Sequence, residues 1–231
     1  MSVIVFDTET TGLPKTKLMN KDTLHLWPHI VQFSFIHYDA DKNTINTSYD
    51  SIVKVDETVI ISEESTQIHG ITKEMSLQKG KEIIFVINEF FQYLERGDLL
   101  VGHNILFDLN MLNVELLRFI YHSKESTEEQ LEDLKHKLEL LINYKNIYCT
   151  MKRSVELCNM KKISKYGKES LKWPKLIELH QKLFEVTPKN LHNSYNDILV
   201  TLRCFAKIKY DNDLMLTCDT FQTIAETIEL Y

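Results

Sequence analysis

Glycine and proline are scarce, six and four in 231 residues. Such a chain marks no flexible linker, and no repeat or low-complexity tract divides it. Long apolar runs are missing too. The longest, such as Val3 to Phe6, cover only a few positions, too short for a bilayer-spanning helix. No basic segment precedes an apolar stretch at the start, and Asp7 interrupts the first run, so no signal peptide is expected. Cysteine is limited to positions 149, 158, 204 and 218, with no C-x-x-C pair and no zinc-like spacing. A core of this size needs no disulfide staple, so these read as reduced, buried thiols of a soluble intracellular protein.

What is present is ordinary globular material. Hydrophobic residues make up 43% and charged residues 26%, which excludes a disordered chain. The net charge of -6 argues against a general nucleic-acid coat protein, not against a nucleic-acid enzyme. The charge is uneven. Residues 151–190 hold ten Lys or Arg and four Glu, whereas 191–231 hold three basic and six acidic residues. A basic stretch within an acidic chain fits a phosphate-tracking surface or a solvated helix face equally well.

Pattern gives an outline. Residues 3–6 read as a strand buried on both faces, 30–38 alternate as a second strand and 45–55 as a third, with a turn at 39–43. A helix is expected over 80–95 and a short strand at 99–101. Asn104 is expected to cap a long helix to about 121, followed by a helix at 126–143 and a last strand at 147–149. Helices follow near 174–184, 193–208 and 219–229. Strands first as a meander, then alternating with helices, imply a mixed α/β sheet flanked by helices.

Three clusters carry chemistry. Asp7 and Glu9 follow the first strand two residues apart, so extended backbone puts both on one face. At about 4 Å, two carboxylates repel by roughly 4 kcal/mol at an effective dielectric of ~20. Protons or hard cations such as Mg²⁺ or Mn²⁺ relieve that; a solvated strand end is the alternative. Asp108 falls in the first turn of the helix after Asn104, where it serves the helix dipole or a site. His192 precedes the 193–208 helix and Asp197 lies on it, placing a mobile base beside a rigidly held acid.

Type, order and spacing together resemble the DEDDh, or DnaQ-like, 3′–5′ exonucleases of the RNase H-like superfamily. The matching residues are Asp7 and Glu9, Asp108, and His192 with Asp197. The stretches 28–34, 68–72, 171–176 and 202–205 are similar as well, so the likeness covers residues 1–208. It implies an RNase H-like mixed five-stranded sheet flanked by helices, with a helical insertion near 113–146. One domain would span 1–231, with a core over 1–208 and a C-terminal helix over 210–231. The loop at 14–27 is longer than the family pattern.

The resemblance also implies a mechanism. Two Mg²⁺, or Mn²⁺, would be held by Asp7, Glu9, Asp108 and Asp197, with Asp7 bridging them. His192 would deprotonate the attacking water, and nucleoside 5′-monophosphates would leave the 3′ end. Thr8, Thr11, Leu13, His69 and Asn104 would contact the terminal nucleotide. DNA in repair or proofreading is the favoured substrate, with RNA 3′-end trimming as the alternative. Single-stranded or frayed 3′ ends are the expected partners, with a DNA polymerase as a further candidate, and a monomer or homodimer is expected. A non-catalytic binding module on the same fold is the competing reading. His25, His29 and His180 are expected to be surface or packing residues.

Overall fold

The computed structural model describes residues 1–94, 99–122, 126–163, 165 and 167–231. A six-stranded sheet organises the chain. Its first strand, β1 (Ser2–Thr10), lies in the middle, antiparallel to β2 (Ile30–Asp39), which pairs antiparallel with β3 (Thr44–Lys54). A two-residue strand, β4 (Lys81–Glu82), runs parallel to β3 and closes that edge. On the other side β5 (Leu99–Gly102) is parallel to β1, and β6 (Ile147–Cys149) is parallel to β5. The order is β4-β3-β2-β1-β5-β6.

The sheet therefore has six strands rather than five. The sixth arises where the start of a helix at 80 was expected. A Cβ on Gly80 would stand 2.4 Å from the Lys54 amide nitrogen, so glycine alone lets the chain run against β3 before the helix begins. The strand at 147–149 is not the last, because an exposed antiparallel hairpin follows, β7 (Lys161–Ile163) and β8 (Glu169–Leu171).

The helices are α1 (Glu63–His69), α2 (Lys73–Lys79), α3 (Ile83–Leu94), α4 (Leu106–His122), α5 (Glu128–Asn143), α6 (Thr150–Arg153), α7 (Val155–Cys158), α8 (Leu176–Phe184), α9 (Ser194–Tyr210), α10 (Leu214–Thr217) and α11 (Asp219–Thr227). The expected insertion is the pair α4 and α5, packed on each other. Thr127 and Gln130 form a reciprocal capping box that starts α5. The end of the expected helix at 95, and residues 123–125 of the insertion, lie outside the described residues. The expected C-terminal helix is instead two short ones, α10 and α11, broken at Cys218 in extended conformation. Phe221, Ala225 and Leu230 seat that segment in the core.

Side-chain alternation along β1 sorts the interior into two layers. Ile4 and Phe6 point into a core with α3, α4 and α5, while Val3 and Val5 point into a second core with α8, α9 and α11. A strand covered on both faces needs the continuous apolar run that 3–6 supplies. Helix α9 is buried without a break from Ile198 to Ala206, and Tyr195 near its start is half-buried. The four cysteines are unbridged; Cys158 is half-buried and the others are buried. Among the described residues no helix is long and apolar enough to cross a membrane.

Candidate active site

The alternation that sorts the core also places the acids. Asp7 and Glu9 continue the Val3–Val5 side of β1, the side covered by α9. Asp197 stands in the first turn of α9. One ligand atom from each of Asp7, Glu9 and Asp197 lies within 4.8 Å of the others. Thr8 and Asp108 approach from the α4 side. The Thr8 amide donates to Asp108 Oδ1 at 3.1 Å and the Thr8 hydroxyl at 2.8 Å. Residues 100 positions apart thus fix the fourth acid beside the cluster.

The electrostatics of this corner are unfavourable without a counter-charge. Burial pushes Asp7 well above the ordinary carboxylate range, and Asp108, Asp197 and Glu9 push it further. Burial, then Asp197 and Asp108, raise Glu9 to about 8. Asp108 rises to about 7 by burial, opposed by its bonds from Thr8. Asp197 also rises to about 7 by burial, opposed by the His192 amide. Four acids that cannot all ionise at neutral pH form a hard-oxygen donor set suited to divalent cations.

The helix that delivers Asp197 is anchored by side chains. Asn193 caps α9, accepting from the Tyr195 amide at 3.1 Å. The Ser194 hydroxyl bonds Ser34 at 2.6 Å, and Ser34 donates to Asp50 at 2.7 Å. Gln32 donates to Asp50 at 2.8 Å and accepts from the Ser194 amide at 3.3 Å. In β2, Ser34 sits opposite Asp7 and Gln32 opposite Glu9. Sequence reasoning missed Gln32, Ser34 and Asp50 as positioning residues. The available signal was two polar side chains at alternate positions inside an otherwise apolar strand.

His192 is exposed with φ of 68°, and Asn190 nearby has φ of 53°. Its amide donates to Asp197 Oδ1 at 3.3 Å. The Asn196 side chain donates to the Asn190 carbonyl at 2.7 Å and pins the loop. The backbone of His192 is therefore held one hydrogen bond from Asp197, and its side chain is exposed.

A groove of about 800 Å³ opens at Glu9. Of the expected substrate residues, Thr8, Thr11, Leu13 and His69 line it. Leu13 is 79% exposed at the mouth, joined by Ile60 at 84% and Ile68 at 50%. His69 uses both ring nitrogens structurally: Nε2 donates to the Thr10 carbonyl at 3.2 Å and Nδ1 accepts from the Ile71 amide at 3.0 Å. Thr11 Oγ1 accepts from the His29 amide at 2.9 Å. Asn104 is exposed and is not among the lining residues, though its carbonyl accepts from the amide of Phe107, which is. Its φ of 69° belongs to a left-handed turn, so it does not cap α4 as expected; an N-cap residue needs extended backbone.

The long loop at 14–27 forms the far wall of the groove. Arg118 of α4 holds it, donating to the carbonyls of Leu24 at 3.0 Å and Trp27 at 2.7 Å and to Glu115 at 2.7 Å. Burial and the Arg118 charge lower His29 to about 4, which makes it a neutral packing residue.

A mixed sheet flanked by helices, with acids gathered at the end of its central strand, is the arrangement of an RNase H-like fold. Residues 4–205 match the RNase T exonuclease family, and the chain belongs to that family. Solved structures agree on the fold. Exonuclease I from Methylocaldum szegediense is 16% identical with a TM-score of 0.59, covering 93% of this chain and 42% of that one. E. coli Exonuclease I in complex with a dT13 oligonucleotide is 15% identical with a TM-score of 0.58, covering 89% and 41%. Cell-death related nuclease 4 is 14% identical with a TM-score of 0.57, covering 90% and 63%. The chain thus spans less than half of either Exonuclease I. No curated protein matches it in sequence.

Proposed function

We propose that this nuclease is a 3′–5′ exonuclease that releases nucleoside 5′-monophosphates from single-stranded or frayed 3′ ends, with DNA as the favoured substrate. One observation carries the reading: Asp7, Glu9 and Asp197 converge within 4.8 Å while Asp108 is fixed alongside. These four would hold two Mg²⁺, or Mn²⁺. Bound there, the cations supply charge stabilisation at phosphodiester oxygens and acidify water.

The protein's own groups do the rest. An unprotonated ring nitrogen of His192 takes a proton from the attacking water; the water oxygen bonds phosphorus as the bond to the 3′ oxygen breaks, and that oxygen takes a proton from solvent water to leave as a 3′-hydroxyl. The exposed position of His192 lets the ring reach a substrate that approaches across the Glu9 end of the groove. Leu13, Ile60 and Ile68 give that mouth an apolar rim against which terminal bases can pack. Thr11 and His69 shape the floor, and Thr8 acts through Asp108. Asn104 stays a candidate contact at the turn before α4. The DNA preference is supported by Exonuclease I, solved with dT13 and dA16 oligonucleotides. We infer a single unit over 1–231, supported by the packing of α11 on the core, acting as a monomer or homodimer in DNA repair or proofreading. Four unbridged cysteines support an intracellular setting.

The test is a time course on 5′-labelled DNA and RNA strands with Mg²⁺, with chelator, and with Asp7→Ala and His192→Ala. A metal-dependent ladder shortening from the 3′ end, absent in both variants, is expected, faster on DNA. A faster RNA ladder transfers the reading to 3′-end trimming. No shortening of either strand by folded protein with metal defeats the exonuclease reading; near-stoichiometric capture of a polymerase then indicates an accessory subunit.

A further inference from the structure

The basic stretch at 151–190 is not absorbed by the acidic corner. The structure concentrates much of it on the hairpin β7–β8 and the segment leading to α8. Between 159 and 175 the sequence holds six lysines (161, 162, 165, 168, 172 and 175) and one acid, Glu169. Every residue of both strands is exposed, so the hairpin stands clear of the core on either face.

Strand alternation sorts these groups. Lys161, Ile163, Glu169 and Leu171 share one face, where Lys161 pairs with Glu169 at 3.1 Å. Lys162 and Ser170 share the other, which carries no acid. Lys168 and Lys172 flank Ser170 two positions away on either side, Lys172 being paired with Glu178 of α8 at 2.6 Å. Trp173 follows and is 63% exposed, a large aromatic surface with no role in the core.

The hairpin is tied to the acidic corner. His103, in the turn before α4, bonds the Pro174 carbonyl through Nε2 at 3.1 Å and Thr150 Oγ1 through Nδ1 at 3.0 Å. A carbonyl only accepts, so Nε2 carries the proton and Nδ1 accepts from the threonine hydroxyl. The turn that leads to Asp108 thereby holds the residue next to Trp173.

We propose that the β7–β8 hairpin and Trp173 form a second binding surface for single-stranded nucleic acid, gripping the strand upstream of the 3′ end while the acidic corner holds the end itself. The inference rests on the nuclease reading of that corner. Lysines neutralise backbone phosphates, and an exposed tryptophan stacks on any base. An acidic protein gains in this way a local attraction that its net charge would not give.

The test is fluorescence anisotropy of a 5′-labelled 20-nucleotide single strand, in chelator, from 25 to 200 mM KCl. The proteins are wild type, Lys162→Gln/Lys168→Gln, Trp173→Ala, and Lys135→Gln/Lys145→Gln as a control on α5 and the loop after it. Each lost phosphate contact flattens the slope of log affinity against log salt by about 0.7. The hairpin pair should therefore lose about 1.4 in slope and the control pair nothing. Trp173→Ala should weaken binding roughly 5- to 100-fold with the slope kept. Wild-type slope and affinity in both hairpin variants overturn the proposal, and so does an equal loss in the control. Hydrolysis of the nitrophenyl ester of thymidine 5′-phosphate by wild-type protein reads the chemistry separately. Its absence counts against the nuclease mechanism while the binding arms still decide the hairpin.

Discussion

The start and the middle of α9 bury charge in opposite ways. Near its start, Asp197 joins Asp7, Glu9 and Asp108, acids whose pKa values are raised by burial and, for Asp7, Glu9 and Asp108, also by neighbouring acids. Two turns on, Arg203 is also buried but fully partnered. It holds Asp213 through two nitrogens at 2.7 and 2.9 Å, and its guanidinium lies 3.9 Å from the ring centroid of Phe184 and 4.6 Å from that of Tyr231. His180 lies 3.3 Å from Arg203 and stacks on Tyr231. A buried charge whose partners are all present holds the fold together. A buried set of like charges is what a bound cation would complete, as proposed above.

Substitutions at the two places should therefore separate activity from stability. Asp7→Asn should cut turnover by several kcal/mol, roughly a thousandfold, by removing a cation ligand. In chelator at pH 8 its melting temperature should be equal to or above wild type, because a repelling charge is gone. Arg203→Met should do the reverse. It leaves Asp213 without its main partner and should cost about 3 kcal/mol, or roughly 6–12 °C in melting temperature, with turnover per folded molecule unchanged. Calorimetry and initial rates on the same samples check both; an Asp7 variant that melts far below wild type would show the start of α9 to be structural too.

Sequence reasoning reached parts of the acidic corner more easily than others. Asp7 and Glu9 were legible because a strand has period two, and Asp197 because it sits one turn past a capping residue. That Asp108 comes from the opposite layer and is fixed by Thr8 depends on the parallel pairing of β1 with β5, which no local pattern encodes. Likewise the Gln32, Ser34 and Asp50 network meets Asn193 and Ser194 only in the fold. Helices α1 and α2 escaped because, at seven residues each with only Ser76 buried, they carry almost no periodicity. Their caps, Ser62 and Thr72, were the readable sign. The β7–β8 hairpin escaped for a related reason: exposed on both faces, it has no apolar alternation.

Proton linkage gives the contrast a sign. At the acidic corner the folded pKa values lie above the unfolded ones: Glu9 at about 8, Asp108 and Asp197 at about 7, and Asp7 raised as well. The folded state therefore holds the extra protons. That stability is complete below about pH 4 and drains away as pH rises through 7 to 8. His180 behaves oppositely. Burial lowers it to about 4, so the unfolded state binds the extra proton and stability falls as pH drops below about 6.5. His103 and His29, also lowered to about 4 by burial, add to the acid side. Melting in chelator should thus peak at mildly acidic pH. Mg²⁺ should raise the melting temperature by several degrees at pH 8 and hardly at pH 5, where protons occupy the acids. An equal Mg²⁺ effect at both pH values would separate cation binding from these carboxylates.

The smallest effect should come from the cap between the two behaviours. Asn193→Ala removes the acceptor for the Tyr195 amide and one partner of Gln32, and should cost about 1 kcal/mol of stability. The same change frees the backbone between His192 and Asp197, so turnover should also fall, by about tenfold. Asn193→Ser keeps an oxygen that can cap and should restore stability. If it restores turnover in proportion, the cap acts on catalysis by holding the start of α9 in place. If turnover stays low while the melting temperature recovers, the bond to Gln32 is what aligns the acidic corner, and the β2 network belongs to the site as much as the helix does.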